Sequence, residues 1–88
     1  MKNNLLYMTK KDVISKVNEF LVEEIEIDDE VIKPEARLKD DLGIDSLDFV
    51  DIVVIVEKHF GFKIKPEEMA NVLTLSDFYN YIESKINQ

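Results

Sequence analysis

The sequence predicts an all-α fold, a small four-helix bundle with three longer helices, a short third helix, and a long loop between the first two. Three observations predict it. Apolar residues recur at the spacing that lines one face of a helix. The apolar stretches open on residues able to cap a helix. No stretch shows the alternation of a half-buried strand. At 88 residues, 45% of them apolar, the chain has enough for one domain and one core and too little for two.

The first helix is expected over 10–24. Thr9 can cap it, with Asp12 at the third helical position, which approximates a capping box with Asp in place of Glu. Val13, Ile14, Val17, Phe20 and Leu21 then fall on one face. Residues 1–8 form an N-terminal extension ahead of the domain, which spans 9–88. The apolar run Leu5 to Met8 is too short for a signal peptide and lacks a small-residue cleavage site. It is either a loose tail or a segment that lays Leu5 and Leu6 against the bundle.

Residues 23–30 carry six acids in eight positions, which reads as a solvated charged surface. A long connection then runs through Pro34 to Ile44. A structureless stretch of about 20 residues is unusual in a compact domain. Ile25, Ile27, Val31, Ile32, Leu38 and Leu42 are spaced through it, so an ordered loop pinned to the core is expected, with one helical turn over 36–39. The second helix starts at Asp45, with Asp48 three residues on, and Gly61 ends it. Pro66 suits the first position of a short third helix covering 67–71. The fourth repeats the start signal with Thr74 and Asp77, and Leu75, Phe78, Ile82 and Ile86 form its buried stripe.

Charge and composition exclude several functions. Nineteen acids face eleven bases for a net charge of −8, so no basic patch is available to neutralise phosphates and nucleic-acid binding is not expected. Anionic membranes should repel the chain, and no run of about 18 apolar residues exists to span one. The chain has no cysteine, hence no disulfide framework, thiolate metal site or cysteine nucleophile, and the default location is cytoplasmic. The charge favours basic protein partners at low salt, and the expected state is a monomer.

The second helix is the most informative segment. On a helical wheel Phe49, Ile52, Val53, Val56 and Phe60 occupy one arc, while Leu47, Val50 and Val54 occupy a roughly opposite one. Asp48 and Asp51 flank the second arc on one side and Glu57 on the other. An amphipathic helix in a small bundle needs one apolar stripe. The second is either a docking surface for a basic, partly apolar partner, or a sign that the helix is central and buried on both sides. Ser46 sits in the first turn, where unpaired N–H groups and the helix dipole suit an attached phosphate. Asp40, Asp41, Asp45 and Asp48 would repel a free anion there, but would help keep a covalently held phosphate facing water.

Asp41-Leu42-Gly43-Ile44-Asp45-Ser46-Leu47-Asp48 resembles the phosphopantetheine attachment site of acyl carrier proteins. The resemblance extends to Phe60-Gly61 at the end of the helix, to the long preceding loop and to Asp77-Phe78-Tyr79-Asn80-Tyr81-Ile82, and so covers about 9–86. It implies a four-helix carrier domain with 4′-phosphopantetheine on Ser46, installed from coenzyme A by a phosphopantetheinyl transferase. The arm would carry acyl groups as thioesters to enzymes of fatty-acid, polyketide or related synthesis: acyl-transfer enzymes, ketosynthases, reductases and dehydratases with basic docking patches. Leu47, Val50 and Val54 match the family's apolar contact positions, and Asp45, Asp48, Asp51 and Glu57 its acidic ones. A carrier without cysteine must import its thiol, which fits. Leu38, Leu42, Ile52, Val56, Ile64 and Val72 are candidates for an acyl-sheltering space, their alternative being plain core packing. Lys58 and His59 stand where the family commonly carries acids, and Lys63 to Pro66 replaces a more acidic segment.

An enzyme is not expected. His59, the sole histidine, lies about 20 Å along the helix from Ser46, which precludes a Ser–His pair. None of the acidic clusters has the glycine and glutamate spacing of a calcium loop. The alternatives to an acyl carrier are a non-carrier acidic helical adaptor docking through Leu47, Val50 and Val54, or a peptidyl or D-alanyl carrier.

Overall fold

Residues 8–87 are described by a computed structural model. The N-terminal extension therefore lies, apart from Met8, outside the described residues. Among the described residues, three α-helices, α1 (Lys10–Glu23), α2 (Ser46–Phe60) and α3 (Leu75–Ile86), are joined by loops that hold two short 3₁₀ helices, η1 (Asp29–Val31) and η2 (Pro66–Asn71). The third expected helix is thus the 3₁₀ element η2, and among the described residues the bundle is all-helical.

Each α-helix begins with the same device. Thr9, Asp45 and Thr74 accept the N–H of the residue three further on, and the Asp there (Asp12, Asp48 or Asp77) accepts the cap's own N–H. Reciprocal capping satisfies two donors that the helix leaves unpaired, and places a carboxylate at the positive end of the dipole. At the far end of α2, Gly61 takes a left-handed conformation (φ 78°) and donates to the Glu57 carbonyl, a backbone region that favours glycine. α1 ends at Glu23, one residue short of the expectation.

The core is one cluster. Val13, Val17, Phe20 and Leu21 of α1 meet Ile52, Ile55 and Val56 of α2 and Leu75, Phe78, Tyr79 and Ile82 of α3. Burying each such side chain contributes about 1.5–3 kcal/mol. The Tyr79 hydroxyl crosses from α3 to donate to Asn18 of α1. Ile55 joins this core as well, beyond the arc of Phe49, Ile52, Val53, Val56 and Phe60 that the wheel marks.

The loop between α1 and α2 is ordered. Ile25 and Ile27 donate to the Phe20 and Leu21 carbonyls, and Glu26 between them takes a positive φ of 65°. Ile25, Ile27, Ile32 and Leu38 pack on the core and Leu42 is buried in it, whereas Val31 faces solvent. The helical turn expected over 36–39 lies instead at 38–41, closed by the Asp41 amide donating to the Arg37 carbonyl. Asp28 caps η1 by accepting the Glu30 N–H, so part of the acidic stretch has local structure of its own. The loop is also stapled to the start of α3. Leu38 donates to the Leu73 carbonyl, Leu75 to Ala36 and Ser76 to Pro34, around an antiparallel bridge between Arg37 and Thr74.

Candidate functional site

Ser46 is the first residue of α2, and it is exposed. The chain reaches it through Leu42, buried in the core, Gly43 at φ 70°, and Ile44, whose N–H donates to the Leu38 carbonyl. Asp45 then caps the helix in an extended conformation, and the Phe49 N–H closes the first turn on the Asp45 carbonyl. A side chain between a core-anchored loop and a capped helix is held in place at both ends.

Asp45 and Asp48 are two of the acids expected to face a partner. Their carboxylates are also engaged in the capping box, at 2.9 Å for the Asp48 amide to Asp45 Oδ1 and 3.4 Å for the return bond. Asp45 remains exposed and Asp48 is half-buried. Asp51 and Glu57 are exposed on the same helix.

The second apolar arc of α2 faces solvent. Leu47 is 76% exposed, Val50 59% and Val54 61%. The alternative in which both arcs are buried in the bundle is therefore excluded. Three large apolar side chains one turn apart on a charged helix form a contiguous exposed stripe. Leu73, 64% exposed, adds a further solvent-facing apolar group next to the cleft residue Val72, and no sequence signal separated it from the core.

Beside Ser46 opens a cleft of about 450 Å³. Leu38, Lys39 and Ile44 of the loop line it, with Asp45, Ser46 and Phe49 at the start of α2, and Pro66, Met69, Ala70 and Val72 in and after η2. Lys39 is the one cation among these residues. Behind the cleft, Leu38, Ile44, Phe49 and Met69 also border an apolar crevice completed by Leu21, Ile52 and Phe78. That crevice holds only about 20 Å³, near the minimum for a single water.

Of the residues proposed to shelter an acyl chain, Leu38 and Val72 line the cleft and Ile52 the crevice. Leu42, Val56 and Ile64 instead pack in the core and line neither. Val56 lies one turn beyond Ile52, away from Ser46, and Leu42 is fixed in the core before the chain turns at Gly43. Sequence reasoning missed Ile44, Met69 and Ala70 as lining residues, while Phe49, on the core arc of the wheel, lines both the cleft and the crevice. For Phe49 a signal existed, since it sits three residues after Ser46 and so on the same side of the helix. His59 is occupied at the other end of α2, where its ring stacks on Phe20 (6.2 Å between centroids, 2° between planes) and Nε2 lies 3.5 Å from Glu24 Oε2.

Two comparisons bear on this site. Residues 15–82 match the model of the family described as "Phosphopantetheine attachment site". The chain is also 37% identical over 78 residues to an acyl carrier protein of Thermotoga maritima, an alignment covering 89% of this chain and 96% of that one.

Proposed function

This chain belongs to the acyl carrier proteins, a family of carriers rather than catalysts whose cofactor is 4′-phosphopantetheine, and we propose on that premise that Ser46 is the residue that bears the arm. The observation that carries the assignment is the position of Ser46, exposed on the first turn of α2 and at the mouth of an apolar-walled cleft.

The surroundings fit the group. An exposed hydroxyl is open to an incoming transferase. The helix start favours an attached phosphodiester, while Asp45 and Asp48 repel it toward water. The cleft walls from Leu38, Ile44, Phe49, Met69 and Val72 offer apolar surface to whatever hangs from Ser46. When bound, the arm supplies the thiol that this cysteine-free chain lacks and holds acyl groups as thioesters.

The exposed face of α2 is the docking surface for phosphopantetheinyl transferase and for acyl-transfer, ketosynthase, reductase or dehydratase enzymes. Leu47, Val50 and Val54 provide its apolar contact, and Asp45, Asp48, Asp51 and Glu57 attract basic residues around it. Residues 9–88 act as the carrier domain, serving fatty-acid, polyketide or related acyl-chain synthesis in the cytoplasm. Among the described residues no helix is long and apolar enough to cross a membrane.

The test is intact-protein mass spectrometry after incubation with coenzyme A, magnesium and a broad-specificity phosphopantetheinyl transferase. The parent should gain one phosphopantetheine mass, and Ser46→Ala none. A folded parent that gains nothing, beside a control carrier that does, would favour the adaptor reading.

A further inference from the structure

η2 is a lightly buried wall of the cleft. It is a 3₁₀ helix of six residues with no fully buried side chain and no side-chain cap at its start. Pro66, Met69 and Ala70 face the cleft, and Met69 also borders the closed crevice behind it. An outward shift of η2 would therefore join the two spaces. An element with so little buried area is drawn from the low-stability end of a fold.

A side-chain cluster that lines no part of the cleft ties η2 to α3 and opposes that shift. Glu68, which does not line the cleft, accepts a hydrogen bond from the Tyr81 hydroxyl at 2.7 Å. Lys85 Nζ lies 2.9 Å from Glu68 Oε1 and 3.1 Å from Oε2. The Tyr81 oxygen in turn accepts the Lys65 N–H, at the position preceding η2, at 3.4 Å. Lys85 Nζ sits 5.7 Å from the centre of the Tyr81 ring, and Phe62 packs edge-on against that ring at 6.0 Å. Tyr81 and Lys85 are one turn apart on α3. They tie η2 at its entry and its middle to a helix rooted in the core. Charge-assisted bonds of this kind are stronger than neutral ones, and here both charged side chains are partly shielded. The bonds from Lys85 and then from Tyr81 hold the Glu68 carboxyl below its ordinary range, so it stays an acceptor at neutral pH. Burial keeps the Tyr81 hydroxyl protonated and able to donate.

We propose that the Glu68–Tyr81–Lys85 clasp restrains η2 and so sets the size of the acyl group that the cleft beside Ser46 admits. The proposal rests on the carrier reading of that cleft and adds to it three specificity-determining residues that touch neither Ser46 nor the cleft. A small group fits the cleft as it stands. A long one needs the crevice as well, and reaching it requires η2 to move against the clasp. Weakening the clasp should therefore favour long groups selectively.

Tyr81→Phe removes the hydroxyl and keeps the ring, while Lys85→Met removes the charge and keeps the stem as an independent second variant. Amide hydrogen exchange on the unloaded proteins reads the restraint directly. Exchange at 68–72 should quicken by about threefold to tenfold, with α1 unchanged. The proteins are then loaded at Ser46 with butanoyl, octanoyl or hexadecanoyl groups, and thioester cleavage by hydroxylamine is timed. Both variants should slow cleavage of the hexadecanoyl form relative to the parent and leave the butanoyl form unchanged. Unaltered exchange at 68–72 in both variants would overturn the restraint. Quicker exchange with an unchanged dependence on chain length would overturn its role in specificity. Failure of the parent to load at Ser46 would count against the carrier reading, and the exchange comparison would still decide whether the clasp restrains η2.

Discussion

Asp45 and Asp48 each hold the other's backbone N–H, and Ser46 lies between them. The two acids that flank Ser46, the proposed attachment residue, therefore fix the start of α2 as well as charging its surface. Removing either one mixes a structural loss with an electrostatic one. The amide variants separate the two effects, because asparagine can accept the same hydrogen bond without the charge.

Asp45→Ala should lower stability by about 1 kcal/mol and Asp45→Asn by only a few tenths, read from urea midpoints. Asp48→Lys should slow loading by a phosphopantetheinyl transferase by roughly tenfold at low salt, and the deficit should shrink as salt is added. A loading rate unchanged at low salt would exclude electrostatic docking at this acid.

Ser46→Ala should leave the helical circular dichroism and the melting midpoint unchanged while abolishing modification. Ser46 is exposed, and the capping box does not use its side chain.

The two faces of α2 should respond in opposite ways. Leu47→Ala and Val54→Ala should change folding stability by less than about 0.5 kcal/mol and weaken binding to acyl-handling enzymes, since both side chains are exposed. Ile52→Ala should cost about 2–5 kcal/mol, because it opens a hole in the core. Denaturation curves paired with partner titrations separate these outcomes.

Asp77 links pH to stability. The Thr74 N–H, and after it the Leu73 N–H, hold its carboxyl below the ordinary value of 3.8. A carboxyl with a lower value folded than unfolded adds stability that is fully present above the unfolded value and is lost as pH falls through the folded one. Acid should therefore destabilise the protein progressively below about pH 4. Asp77→Asn should flatten that acid limb in melts taken between about pH 5 and 2.5.

Much of the fold was legible because its signals are local. The three caps, the glycine stop of α2 and the apolar stripes of α1 and α3 each lie within a few residues of sequence. The surplus stripe of α2 was legible too, although only burial could separate an exposed stripe from a central helix. What stayed hidden depends on contacts between distant segments. Nothing near Arg37 signals a bridge to Thr74. Met69 reads as an ordinary apolar residue until η2 is placed across from Phe49, and the clasp pairs Glu68 with residues 13 and 17 positions away. Val31 resembled a loop anchor by composition, yet the 3₁₀ turn of η1 leaves it 38% exposed.

The staple between the loop and the start of α3 also orders events in time. Leu38, a wall of the cleft, is fastened by the carbonyl of Leu73, and Ala36 and Pro34 by the amides of Leu75 and Ser76. A ribosome releases Ser46 well before it releases those partners. On a nascent chain the serine is thus already outside the tunnel while the loop that precedes it still lacks its fastening. Recognition that depends on the finished loop must wait until the start of α3 is also free, so under the proposed function loading at Ser46 follows the folding of that segment.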